Sequence, residues 1–276
     1  MSNTVPATTQ PQQQTLQQLM NSGAVMKKLN DVLGSEKKAA SFVSSVISVA
    51  NGNNMLRNCN PMTVLGSAMV AATLDLPVVP TLGLAYIVPY KGQCQFQLGY
   101  KGLIELAERS GQFKNIIDEV VYEGQLVKKN KFTGEYEFDE DAKTSDKVIG
   151  YMARMDLING FSKTIFWTKE EVEAHATKFS QAFRAKRGTP WLTDFDAMAR
   201  KTVLKALFAK YAPKSVAIQN AIKFDQAVVK PNDTLTDEDL QIDSYEVEYQ
   251  DNEPAQEAVA EEVKPSDDLF NENNKK

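Results

Sequence analysis

Apolar positions recur with helical spacing through the first part of the chain. In "SGAVMKKLNDVLG", Val25, Met26, Leu29, Val32 and Leu33 share one stripe that ends at Gly34; "EKKAASFVSSVISVANG" repeats the pattern with Phe42, Val46, Val49 and Ala50 before Asn51-Gly52. "NPMTVLGSAMVAATLDLP" predicts a further helix, with Asn60 as N-cap, Pro61 at the first helical position and Pro77 at the exit. The period then changes. "LAYIVPYKGQCQFQLGY" alternates and predicts a hairpin turning at Lys91-Gly92, its first strand marked as an edge by Pro89. Beyond Lys101, helical spacing returns with Leu103, Leu106 and Ala107, and Gly99 and Gly102 bracket the switch. More strands are expected over residues 114–138, and Asn159-Gly160 in "VIGYMARMDLINGFSKTIFW" predicts a second hairpin. The last third is helical again, with a capping box at Thr168 to Glu171 and Thr193 expected to cap a helix that runs to Pro213. The fold class that follows is α+β: a short antiparallel sheet with hairpins, packed against helices, over residues 21–230. Residues 1–20 are polar and expected to be disordered.

Charge changes the picture more than composition does. The chain has 276 residues, 42% of them apolar, enough to bury a full core. No apolar run approaches the ~20 residues of a membrane span. The start "TQPQQQTLQQ" reads as neither a signal nor a transit sequence, so a cytoplasmic protein is expected. Cys59 and Cys94 lack metal-ligand spacing. The net charge of −5 divides unevenly: residues 1–230 carry 28 Lys+Arg against 21 Asp+Glu, whereas residues 231–276 carry 3 against 15. The segment 231–276 has few large apolar residues and one dominant sign of charge, and is expected to be a disordered acidic tail. A basic body with a tethered polyanion fits a nucleic-acid binder; a merely solubilising tail fits the charge equally.

The candidate chemistry is polyanion binding rather than catalysis. His175 has no cysteine, serine or carboxylate pattern directed at it, and neither a G-x-x-x-x-G-K-[ST] loop nor a G-x-G-x-x-G fingerprint is present. Residues 178–214 hold nine basic side chains against two acids, Asp194 and Asp196, which are accounted for as helix-start charges. On the helix that follows, Arg200 shares a stripe with Leu204, Leu207 and Tyr211, so it must either pair internally or reach a ligand at the core's edge. Lys201 and Lys205, at i and i+4, predict a two-point phosphate contact, with Lys210 farther along. "RAKRGTPW" adds Arg184, Lys186, Arg187 and Trp191; the indole is expected either to stack on a base or to anchor the core. Lys101 at a helix start between two glycines, and Lys91 in the hairpin turn, complete the candidate set. Gln93, Gln95 and Gln97 share a strand face and offer amides to sugar-phosphate.

"NPMTVLGSAMVAATLDL", "PTLGLAYIVPY", "QFQLGYKGLIELAERSG" and "ARKTVLKALFAKYAPKS", in this order, resemble the RecT group of phage recombinases, relatives of the lambda Red beta annealing protein. The resemblance covers residues 20–225. It implies ATP-independent annealing of complementary single strands by rings or filaments of subunits, with DNA held in a basic groove. It carries DNA-binding roles onto Lys101, Arg200, Lys201 and Lys205, and onto the 184–187 loop. No cofactor is then required, magnesium acting only through the DNA. The partners implied are single-stranded DNA, the annealed duplex and further copies of the chain. A phage exonuclease and the host single-strand-binding protein would be reached through the tail, in the cytoplasm of a bacterial host. The rival readings are a passive single-strand-binding protein, and a nuclease or nucleotide-using factor.

Overall fold

A computed structural model describes residues 14–248 apart from 131, 214, 233, 234, 237 and 239. The chain opens with helices α1 (Leu16–Met20), α2 (Gly23–Leu33), α3 (Glu36–Gly52), α4 (Asn54–Arg57) and α5 (Pro61–Thr73). A hairpin of β1 (Ala85–Tyr90) and β2 (Gln93–Leu98) leads into α6 (Tyr100–Ser110). Strands β3 (Phe113–Tyr122), β4 (Leu126–Asn130), β5 (Glu135–Phe138), β6 (Val148–Leu157) and β7 (Ser162–Thr168) form the middle. Helices α7 (Lys169–Phe179), α8 (Gln181–Arg184), α9 (Pro190–Thr193), α10 (Phe195–Tyr211) and α11 (Val216–Phe224) follow, then β8 (Ala227–Lys230) and β9 (Glu246–Glu248).

The strands make antiparallel sheets in the orders β1-β2-β8-β9, β3-β6-β7 and β4-β5. The α+β architecture with hairpins and short antiparallel sheets therefore stands as expected. Local chemistry explains much of it. Lys91 and Gly92 both take positive φ, the twist-matched geometry of a two-residue hairpin turn, and β1 with its Pro89 lies at the sheet edge. Asn60 caps α5 through the Met62 amide with Pro61 at N1, and Thr168 and Glu171 complete the capping box of α7. The cap of α10 differs from expectation: Asp194, not Thr193, accepts from the Ala197 amide, because Thr193 closes the short α9.

The centre of the first layer is α5, buried from Thr63 to Ala72 and packed on β2 and β8 as well as on α1 and α2. Gly66 is where it meets β8: a Cβ there would overlap the Val229 carbonyl. In the second layer α10 packs on β3, β6 and β7. Tyr151 of β6 donates to Asp196 at the start of α10 at 2.5 Å and fixes that helix against the sheet.

Both expected boundaries shift. Residues 14–20, expected to belong to a disordered start, include a capped helix whose Leu19 and Met20 are buried; residues 1–13 lie outside those described. The acidic tail is expected from residue 231, yet Leu240, Ile242 and Tyr245 are buried and β9 pairs with β8, Val247 opposite Val229. Those few apolar residues close an otherwise open sheet edge, which composition averaged over 46 residues hides. Residues 249–276 lie outside those described.

Candidate nucleic-acid interface

The strand face expected to carry amides is real and lies in a cleft. Cys94, Phe96 and Leu98 of β2 are buried in the core, and their alternates Gln95 and Gln97 project to the other face. There, with Val88 of β1, they form one wall of a cavity of about 340 Å³. The facing wall is α10, whose Met198, Lys201, Thr202, Lys205, Ala206 and Ala209 follow helical spacing. His175 and Phe179 of α7 and its C-cap Ser180, with Thr189 and Trp191 of the α8–α9 segment, close one end. The small side chains of Ala206 and Ala209 leave the space open.

Two buried carboxylates organise the cations of α10. Asp118 on β3 is 5% exposed; one oxygen accepts from the Arg200 guanidinium at 2.8 Å and the other from the Tyr100 hydroxyl at 2.5 Å. Burial and the adjoining carboxylate push the Tyr100 phenol up to about 12, so it remains a donor. This hydrogen-bonded chain ties the start of α6 to α10. Asp225, just past α11, pairs with the Lys205 ammonium and accepts from the Leu98 amide at 2.8 Å. Of the two readings open for Arg200, the internal pair is the one found, and Lys205 has likewise an acid partner. Lys201 lies between them, half-buried at the cavity, with no carboxylate in ion-pair distance among the described residues.

The other candidates are spread out. Arg184 donates to the carbonyls of Thr177 and Lys178, satisfying the end of α7. Lys186, at positive φ, and Arg187 are exposed in the loop before α9. Trp191 is 7% exposed and packs against Phe195 and Phe183 with ring centres 5.4 and 6.1 Å away. Its core-anchor role is the one found, the indole being buried among tilted aromatic neighbours. Lys210 stands exposed in the last turn of α10 near the Tyr211 ring, and Lys91 at the hairpin tip near that of Tyr90.

Lys101 is exposed at the start of α6 and outside the cavity lining. Its flanking glycines serve a different end from the expected phosphate approach. A Cβ at Gly99 would overlap the Gly83 carbonyl, and one at Gly102 the Leu84 carbonyl, so the backbone that comes close is the chain's own.

Asp118, Asp225 and Thr189 are residues of this candidate interface that the sequence reading misses. Asp225 does leave a trace: it is the one acid between residues 197 and 232 in a lysine-rich stretch. His175, expected to be structural, lies between the rings of Trp167 and Phe179 at 5.6 and 4.5 Å. Burial, with the charges of Lys205 and Lys178, holds its pKa below the usual histidine value.

Comparison with known proteins gives this cleft its setting. The chain matches the RecT family over residues 40–241. It is 46% identical over 246 residues to the uncharacterised protein YqaK of Bacillus subtilis (strain 168), an alignment covering 89% of this chain and 82% of that one. It is 30% identical over 210 residues to protein RecT of Escherichia coli (strain K12), covering 69% and 74%. These matches set the class as the single-strand annealing and recombination proteins, a family associated with single-stranded DNA and self-assembly. The chain belongs to the RecT family. No helix among the described residues is long and apolar enough to cross a membrane.

Proposed function

We propose that this protein anneals complementary single strands of DNA without nucleotide hydrolysis, each subunit holding a few phosphates of one strand while neighbouring copies continue the groove. The observation that carries the reading is the convergence of two segments distant in sequence. "QFQLGYKGLIEL" supplies Gln95 and Gln97, "ARKTVLKALFAKY" supplies Lys201, and they face each other across one cleft. Amides and an ammonium on opposing walls suit sugar and phosphate and leave pairing edges to a second strand. The exposed Lys186 and Arg187, in the loop that leads into the Thr189–Trp191 wall of the cleft, add positive charge beside it.

The driving force is in the DNA. Stacking contributes about 1.4 kcal/mol per base-pair step, so a short matched stretch already runs downhill once phosphate repulsion is lowered. Magnesium acts through the DNA alone, and the acidic residues beyond 248 meet an exonuclease or a host single-strand-binding protein.

The test mixes two complementary strands, each coated with the full-length protein, in the absence of ATP, and follows pairing by fluorescence quenching. Pairing faster than for naked strands, fading as salt rises, is the expected result. Pairing slower than for naked strands would make the protein a passive protector and overturn the proposal.

A further inference from the structure

The chain has two cysteines, and the fold brings them together. Cys59 lies between α4 and α5, and Cys94 is the second residue of β2, on its core face. Three hydrogen bonds join the two segments. The Asn60 amide donates to the Gly92 carbonyl at 2.8 Å, the Cys94 amide to Thr63 Oγ1 at 2.9 Å, and Cys59 Sγ to the Gln93 carbonyl at 3.1 Å. The Cys59 sulfur is thereby set beside the peptide that leads into Cys94, and the Cys94 thiol hydrogen-bonds it. A single buried cysteine packs as a small apolar residue. Two in contact can also form a bond.

The two sulfurs are unequal. Cys59 is 6% exposed and Cys94 is wholly buried, so a small oxidant entering from solvent meets Cys59 first. The hydrogen bond from Cys94 holds the Cys59 thiol below the ordinary thiol value, and the same contact, with burial, pushes Cys94 up. The outer sulfur is therefore the one that ionises, and the inner one stays protonated as its resolving partner.

We infer that Cys59 and Cys94 form a redox-sensitive clip, closing to a disulfide when the protein meets a hydroperoxide and reopening with a thiol reductant. The inference does not depend on the annealing function proposed above. The Cys59 thiolate attacks one peroxide oxygen, the O–O bond breaks, and the departing oxygen takes up a proton to leave as water or alcohol. Cys59 is then a sulfenic acid. The Cys94 sulfur attacks it and gives up its proton, which leaves with the sulfenic hydroxyl as water. Two electrons pass from the thiols to the peroxide. A dithiol reverses the bond by exchange and is itself oxidised to a disulfide. Closure fastens the start of α5, the buried centre of the first layer, to β2 one residue before Gln95 of the cleft wall. It also closes a loop over α5 and β1, which restricts the unfolded chain.

The experiment treats reduced full-length protein with equimolar hydrogen peroxide in the folded state and follows it by intact-mass spectrometry. The expected product is a monomer lighter by two hydrogens, with no thiol reactive toward a maleimide in urea, and dithiothreitol should restore both thiols. As the chain holds two cysteines, that product can only be the Cys59–Cys94 bond. Its urea midpoint should lie above that of the reduced protein. Cys94→Ala should halt at a sulfenic acid on Cys59 that dimedone traps, and Cys59→Ala should leave Cys94 unoxidised. Gain of oxygen without loss of hydrogens in the wild type, disulfide-linked dimers, or oxidation only in urea overturns the clip. So does a lower urea midpoint for the oxidised monomer, because the bond would then pull α5 and β2 out of their packing.

Discussion

On α10, Arg200 and Lys205 reach carboxylates that lie in the protein interior, whereas in the loop before α9 Lys186 and Arg187 stand exposed with no acid in ion-pair distance among the described residues. The two regions belong to one basic segment and look alike in a charge count. Their surroundings differ: the α10 pair is held where β3 and the α11–β8 junction each supply a buried aspartate, and the loop pair faces water. Charge that is present and charge that is available to a polyanion are therefore different quantities. Lys201 is the residue of α10 that escapes this pairing and lies at the cleft.

The largest expected effect tests the anchored side. Asp225→Ala removes the partner of Lys205 and of the Leu98 amide together, and should cost about 3 kcal/mol in urea unfolding. If stability were unchanged, Lys205 would have to be counted with the available cations. Arg200→Ala should cost less, about 1.5 kcal/mol, because the arginine side chain is 37% exposed and solvent screens its pair with Asp118. Its effect on DNA affinity should follow the loss of folded protein and no further.

The exposed side should behave in the opposite way. Lys186→Ala combined with Arg187→Ala should alter stability by no more than about 0.5 kcal/mol. It should weaken single-strand binding and lower the salt slope by about 0.7 for each phosphate no longer neutralised. An unchanged slope would remove the loop from the interface. The smallest effect concerns His175. Its folded pKa lies below that of the unfolded chain, so below pH 6.5 the unfolded state binds the extra proton first. Stability should fall as pH drops from that value toward the folded pKa, and His175→Gln should abolish that part of the slope. A slope of the same size in the variant would assign it to other groups.

Much of the fold was legible because its signals are local. The Asn60-Pro61 cap, the Thr168–Glu171 box and the turns at Lys91-Gly92 and Asn159-Gly160 each depend on residues within a few positions of one another. The expected site was legible only in kind. Lys201 and the glutamine face meet as a cleft, but Trp191 belongs to the core, Arg184 closes a helix, and Gly99 and Gly102 accommodate the chain itself. The glycines meet chain from the far side of the β1–β2 hairpin, whereas Trp191 and Arg184 take partners within eight residues, whose approach depends on how the short α8 and α9 turn and not on any periodic pattern.

By itself the sequence determined the order of helices and hairpins, the basic character of the body and the family to which it belongs, since periodicity, capping and charge are written along the chain. Only the tertiary structure decided which cations are neutralised and that residues 240–248 complete a sheet. Those outcomes depend on what two remote surfaces do to each other's access to water, and desolvation exists only after they have met.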